Sequence, residues 1–338
     1  MNVLHLELGE RGYDITVGRG ILADAGKYFN LNRRVFIVTD DGVPSEYAQA
    51  VSACAKESVI VTVPMGEGSK SPETYTALLS KMLEFGMTRT DCAVAVGGGV
   101  VGDLTGFVAA SYMRGIDFYN VPTTLLSQVD SSIGGKCAIN LGGVKNIVGA
   151  FHQPRGVLID VDTLKTLDKR QISNGLAESV KMALTSDAEL FSLIEREGAA
   201  DGALEQIIIG SLKIKKAVVE ADERESGLRK ILNFGHTYGH AIEACEELHG
   251  FYHGECVALG MLAVSSEAVK SRLIPVLEKL NLPTQYHGDV ASACEFISHD
   301  KKCDGDKLSV VFVDEVGSFR IEKISVDAFI DMIKSKNA

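Results

Sequence analysis

The chain has 338 residues, enough for two domains at a typical ~150 residues each. Lys and Arg together number 34 against 45 Asp and Glu, a net charge of −11 with His neutral and a pI of about 5.3. So acidic a chain lacks the basic face that duplex nucleic acid or an anionic membrane needs, and with 46% hydrophobic residues it is not a disordered or low-complexity chain.

The first residues, Met1-Asn2-Val3-Leu4-His5-Leu6-Glu7, lack the basic region and apolar stretch of a signal peptide. No window approaches the ~18 uninterrupted apolar residues of a membrane span. Seven cysteines without a CxxC pair fit a reducing compartment, so a cytoplasmic protein is expected. Further along, 35–39 reads as a buried strand ending at Asp40 and 59–63 as the next. Residues 72–85 have helical spacing and stop at Gly86. Strand 92–96 runs into Gly97-Gly98-Gly99, and strand 118–121 stops at Pro122-Thr123-Thr124. Continuous apolar strands separated by helices predict a Rossmann-like parallel sheet covered on both faces, with ligands at the carboxyl ends where Asp40, Gly97 and Thr123 fall. After a strand at 157–160 the pattern turns to successive amphipathic helices from 163 to about 300, then a hairpin of 308–313 and 318–321. The expected plan is an α/β dinucleotide-binding domain at 1–160 and a mainly helical domain at 161–338.

Glycine is unevenly spread, with 11 of the 34 lying between residues 97 and 149, which suggests backbone packed close to a ligand. Gly97-Gly98-Gly99-Val100-Val101-Gly102-Asp103 follows a strand, opens a helix and contains GxGxxG, whose amides and helix dipole suit a pyrophosphate. No acid closes a neighbouring strand about 20 residues later, so a tight turn without a ligand competes with this reading.

His236-Thr237-Tyr238-Gly239-His240 sets two imidazoles at i and i+4, and His253 follows. Position 237 is not glutamate, which excludes a zincin motif. Isolated histidines are mostly surface or core residues, but three of the chain's eight within 18 residues favour a metal. A carboxylate would complete a site with one open position, and Glu178, Glu243 and Glu255 are all candidates on spacing. Arg114, Lys136, Lys145, Lys181, Lys215 and Arg229 sit beside glycines or inside apolar helices. As a group they suit a small anion such as a phosphate with a carboxylate; singly, each reads as a surface charge.

Several segments in order resemble the 3-dehydroquinate synthase family. They are GGGVVGD at 97–103, PTTLLSQVD at 122–130, SSIGGK at 131–136, GVKN at 143–146 and FHQP at 151–154, then GLAESVK at 175–181, ADERE at 221–225, GLRKILNFGHTYGHAIE at 227–243 and HGE at 253–255. The resemblance implies zinc or cobalt on Glu178, His236 and His253. It implies NAD on the amino-terminal domain, with Asp40, Glu67 and Lys70 toward the nucleoside and Gly98, Gly99, Val100, Val101, Gly102 and Asp103 lining the pyrophosphate turn. Thr123, Thr124, Thr163, Leu164, Lys165 and Thr166 would lie nearby, and Lys136 and Lys145 near both ligands. The implied substrate, 3-deoxy-arabino-heptulosonate 7-phosphate, would be held by Arg114, Asp130, Lys136, Asn146, Lys181, Lys215, Arg229, Asn233, His240 and Lys302 of the Lys301-Lys302 pair. The implied reaction is transient oxidation by NAD, phosphate elimination, re-reduction, ring opening and intramolecular aldol closure, in a homodimer. Gly42 departs from the family pattern, where many members carry a polar side chain, and implies a missing cofactor contact. Three other readings compete: a related sugar-phosphate cyclase, a metal-dependent polyol dehydrogenase of the glycerol dehydrogenase kind, and a metabolite-binding protein without activity.

Overall fold

The apolar run Val35-Phe36-Ile37-Val38 is buried on both of its faces, because its side chains alternate between two separate cores. Phe36 and Val38 point into a cluster with Leu78, Met82, Leu104 and Val108, whereas Val35 and Ile37 join Ala25, Phe29, Ala48 and Val51. These residues belong to a computed structural model that describes residues 1–225, 227–246, 250–298 and 307–336. The chain divides into two units, Met1–Asp168 and Lys169–Ala338.

The first unit contains β1 (Asn2–Leu6), β2 (Tyr13–Gly18), α1 (Ala25–Tyr28), β3 (Arg34–Asp40), α2 (Ser45–Ala53), β4 (Glu57–Val63) and α3 (Pro72–Glu84). It continues with β5 (Cys92–Gly97), α4 (Gly99–Ser111), β6 (Asp117–Pro122), β7 (Lys136–Leu141), β8 (Val144–Phe151) and β9 (Gly156–Asp160). Seven strands form one sheet in the order β1-β2-β9-β6-β5-β3-β4, parallel except for β1 against β2. The chain steps outward from β3 to β4 and then crosses back to place β5 on the other side of β3. That reversal opens a crevice at the carboxyl ends of β3 and β5, where open α/β sheets bind ligands. The ends are Asp40 and Gly97, as the sequence predicts.

Two features depart from the sequence expectation. The antiparallel edge strand β1 is not anticipated. Part of the glycine-dense segment serves a hairpin rather than a ligand: Gly142 and Gly143, at φ 58° and 78°, join antiparallel β7 and β8 through the two-residue turn whose twist matches the strands.

The second unit holds α5 (Lys169–Ser186), α6 (Ala188–Glu197), α7 (Asp201–Ala221), α8 (His236–Cys245), α9 (His253–Ala263), α10 (Glu267–Lys279) and α11 (Val290–Ser298). The expected late hairpin follows as β10 (Lys307–Phe312) against β11 (Arg320–Ser325), and α12 (Val326–Lys336) ends the chain. Glycines let α8 and α9 touch backbone to backbone. A Cβ on Gly239 would lie 2.9 Å from the Cys256 carbonyl oxygen, and one on Gly260 would overlap the Gly235 carbonyl oxygen. Among the described residues, no helix is long and apolar enough to cross a membrane.

Candidate active site

In the first unit, Gly98 is the N-cap of α4 and the turn packs against the loop after β6. A Cβ on Gly99 would come within 2.9 Å of Ser131 Oγ, which leaves no room for a side chain at that position. Lys70 is the hub beside this turn. It is 4% exposed, donates to Asp103 Oδ2 at 2.7 Å and to Asn146 Oδ1, and lies 3.7 Å from Glu67 Oε1. Asn140, which sequence reasoning missed, closes the network. Its amide donates to Glu67 Oε1 at 2.9 Å and its Oδ1 accepts from the Asn146 N–H at 2.8 Å. The only sequence signal for it is a polar residue in an alternating strand, at the point where the β7–β8 register shifts.

Asp40 is buried at the end of β3, and that burial pushes its carboxyl above the usual range although the Gly42 N–H donates to it at 2.9 Å. Asp40 lines a cleft of about 460 Å³ with Thr39, Ser45, Gln49 and Thr62. At Gly42 the room for a side chain is taken: the Met65 thioether lies over its Cα, and the Met65 N–H donates to Asp41 Oδ1 at 2.7 Å. Gln128, also missed, is fully buried and donates to the Pro122 and Asp160 carbonyls and to Thr163 Oγ1, each at 3.1 Å. It thereby ties the ends of β6 and β9 to the short turn Val161–Thr166, which carries Leu164, Lys165 and Thr166. Thr123 and Thr124 follow β6 directly, and Val100 and Val101 lie in the first turn of α4.

The remaining expected residues of this unit sit on unusual backbone. Met113 and Arg114 are both left-handed, at φ 49° and 70°, and Asn146 is at φ 54°. Such strain in residues other than glycine clusters at functional positions. Asp130 falls in a wide π-type turn, Ser127–Ser131. Arg114, Lys136 and Lys145 are exposed.

In the second unit the three histidines meet. One ring nitrogen from each of His236, His240 and His253 lies within 4.8 Å of the others. Glu178, 1% exposed on α5, sets Oε1 3.7 Å from His236 Nε2 and 3.5 Å from His253 Nε2. The opposite ring nitrogens are engaged: His236 Nδ1 with the Phe234 carbonyl at 3.1 Å and His253 Nδ1 with Glu243 Oε2 at 3.0 Å. This fixes Nε2 of both rings as the inward-facing atom, the usual way a protein orients imidazole ligands. Burial alone would lower the pKa of His253, but the Glu178 and Glu243 carboxylates raise it to about 9. A second cation beside these acids is Lys181, 2% exposed and paired with Glu178 Oε2. Three imidazoles and a carboxylate in so small a volume make a nitrogen–oxygen donor set that fits zinc or cobalt.

The three acids left open by spacing have separate positions. Glu178 faces both Nε2 atoms, Glu243 backs His253, and Glu255 binds Arg170 at 2.7 Å. Of the expected anion-binding residues here, Lys215 and Arg229 are buried at 5% and 3% exposure. The Arg229 N–H donates to Asp222 Oδ2 at 3.0 Å, and Asn233 Nδ2 to Glu225 Oε1 at 3.0 Å. Lys301 and Lys302 lie outside the described residues.

A parallel sheet with a glycine turn at its reversal point, followed by a helical unit, is a fold shared with a probable glycerol dehydrogenase from Sinorhizobium meliloti, which superposes with a TM-score of 0.66 at 17% identity over 96% of each chain. A structure of 2-deoxy-scyllo-inosose synthase complexed with carbaglucose-6-phosphate, NAD+ and Co2+ superposes with a TM-score of 0.89 at 28% identity, over 99% of this chain and 100% of that one. A 2-epi-5-epi-valiolone synthase from Streptomyces hygroscopicus with NAD+ and Zn2+ bound gives 0.86 at 27% identity, over 98% of each chain. Residues 60–174 match the 3-dehydroquinate synthase N-terminal family and residues 175–303 its C-terminal family. A 3-dehydroquinate synthase of Streptococcus suis is 41% identical over 98% of this chain and 99% of its own length. The chain belongs to the 3-dehydroquinate synthase family.

Proposed function

We infer that the chain converts 3-deoxy-arabino-heptulosonate 7-phosphate into 3-dehydroquinate and phosphate. The observation that carries this reading is the set of buried cations Lys181, Lys215 and Arg229 in the same helical unit as the histidine–carboxylate cluster. A polyol dehydrogenase has no anionic group for them, whereas this substrate carries a carboxylate and a phosphate. Family membership supports the same assignment.

In this reading Glu178, His236 and His253 would hold a divalent metal, with His240 beside them for the substrate. NAD would be held by Asp40, Glu67, Lys70 and the Gly98–Asp103 turn, with Lys136 and Lys145 also assigned to it. When bound, the metal acidifies a substrate hydroxyl and NAD supplies a reversible hydride acceptor. The chain's own residues bind and orient. Glu243 holds His253 Nδ1, so that Nε2 would be the nitrogen left to a metal once the ion displaces its proton. Lys181 compensates the charge of Glu178 from within the same helix. Lys215, Arg229 and Asn233 would neutralise and position the anion, and the family resemblance assigns Arg114, Asp130, Lys136, Asn146 and Lys302 to the same substrate. We assign the protein to the cytoplasm, as a homodimer; the absence of CxxC pairs and the family resemblance support this.

A sibling cyclase reading has support from the two superposed cyclase structures, whose names specify other products. A substrate panel separates the two. Phosphate release is expected with 3-deoxy-arabino-heptulosonate 7-phosphate at least about 100-fold faster than with sedoheptulose 7-phosphate or glucose 6-phosphate, because substrates without the carboxylate forgo the charge-assisted hydrogen bonds it makes. A preference for either neutral-chain sugar phosphate would replace this reading with the sibling one.

A further inference from the structure

Arg170, Asn174 and Glu178 are spaced i, i+4 and i+8 on α5, so they line one face of that helix. Each engages a different residue at the start of α9. Arg170 Nε and Nη2 donate to the two oxygens of Glu255 at 2.7 and 2.8 Å, and Nη2 also reaches the Gly250 carbonyl at 2.5 Å. Its guanidinium lies 4.1 Å from the centre of the Tyr252 ring. Asn174 Oδ1 accepts from the Gly254 N–H at 2.6 Å, and Glu178 faces His253. Glu255 in turn accepts from the Tyr252 N–H at 2.8 Å, closing the first turn of α9 on itself.

The contact tolerates little displacement. A Cβ on Gly254 would overlap the Asn174 carbonyl oxygen and come within 2.9 Å of Ala177 Cβ, so α9 begins pressed directly onto α5. His253 is the first residue of α9, bracketed by Tyr252 on one side and by Gly254 and Glu255 on the other, all three fixed by this contact. Because Glu178 lies on the same face of α5, the separation of Glu178 Oε1 from His253 Nε2 is set by the two rungs next to it.

We propose that Arg170 and Asn174 are positioning residues for metal binding: they clamp the start of α9 to α5 and so hold His253 at binding distance from Glu178. The proposal rests on reading Glu178, His236 and His253 as the metal ligands. Neither Arg170 nor Asn174 is itself offered to the ion. Residues that orient ligands from behind typically govern affinity by about 10–100-fold, and that is the effect expected here.

The test measures zinc affinity of the full-length protein by competition with a chelator, together with the visible spectrum of the cobalt-loaded protein. Arg170→Gln and Asn174→Leu are each expected to weaken zinc by about 10–100-fold and to change the cobalt bands. Asn174→Asp keeps an oxygen to accept the Gly254 N–H and is expected to restore most of the affinity. Arg272→Gln is the control, since it breaks a comparable two-pronged pair with Glu195, at 3.1 and 2.7 Å, that joins α10 to α6. It is expected to lower the melting temperature and leave zinc affinity unchanged. Affinities close to the parent in both Arg170→Gln and Asn174→Leu would overturn the proposal, and so would an equal loss in Arg272→Gln. If Arg170→Gln does not fold, the comparison of Asn174→Leu with Asn174→Asp decides. His253→Ala separates the two levels: zinc binding as tight as the parent's would remove the ligand reading itself. Loss of zinc in His253→Ala with normal affinity in the clamp variants would remove only the clamp.

Discussion

Lys70 shows how one buried side chain can organise a binding surface. An ammonium at 4% exposure is costly unless its donors are used, and here they serve Asp103, Asn146 and, at longer range, Glu67. The three partners come from the short turn after β4, helix α4 and strand β8, so the ammonium joins segments that no local pattern connects. Lys70→Met removes the charge and leaves Asp103 without its cation. We expect a loss of about 1–3 kcal/mol in stability and a rise of at least about 10-fold in the dissociation constant for NAD, measured by melting and by titration calorimetry with NAD+. Unchanged NAD affinity in a folded Lys70→Met protein would contradict the placement of the cofactor. In the sequence Lys70 stands out only through the family resemblance. Asn140 and Gln128 were invisible because their roles depend on strand register and burial, which composition does not encode. Glu178, Glu243 and Glu255 were indistinguishable by spacing for the same reason: 58 residues separate Glu178 from His236, and only the fold makes them neighbours.

At the scale of elements, the two ends of the parallel sheet divide the work. The carboxyl ends carry Asp40, the glycine turn and Thr123, whereas the amino-terminal ends are joined by charge. Asp117, first residue of β6, accepts from Arg155 Nε at 2.8 Å and from Arg33 Nη1 at 2.8 Å, linking the approaches to β9 and β3. Partial burial would raise the Asp117 carboxyl, but the two guanidiniums outweigh it and hold the group below its ordinary value. A depressed carboxyl stabilises the fold above its unfolded pKa of about 3.9 and loses that contribution as pH falls through the lower folded value. Asp117→Asn is therefore expected to be about 1–2 kcal/mol less stable than the parent above pH ~5, with the gap narrowing below pH ~4. Urea unfolding at pH 7 and pH 3 checks this; a gap that widens in acid would reverse the sign and refute the assignment. Strands β3 and β5 are legible because both of their faces are covered, which produces uninterrupted apolar runs. The β7–β8 hairpin was not read from Asn140-Leu141-Gly142-Gly143-Val144, because the two glycines were counted toward ligand approach. Their turn geometry explains them without a ligand.

For the molecule as a whole, a net charge of −11 and an anionic substrate are reconciled by where the cations lie. Lys70, Lys181, Lys215 and Arg229 are buried among expected site residues, while the excess of acid is spread over the rest of the chain. An acidic composition is compatible with a small anionic substrate, and the ordered motifs from 97 to 255 supply the chemistry that composition does not. The departure at Gly42 has a physical counterpart in Met65, whose thioether fills the place of the missing side chain. In the proposed reaction NAD is used and returned within each turnover while phosphate leaves. It is tested in one cuvette, by following phosphate release and NADH absorbance together with 3-deoxy-arabino-heptulosonate 7-phosphate, NAD+ and zinc or cobalt. Phosphate released over many turnovers without net NADH, and abolished by a chelator, is the predicted result. NADH accumulating in step with turnover, or phosphate release that survives complete removal of the metal, would contradict it.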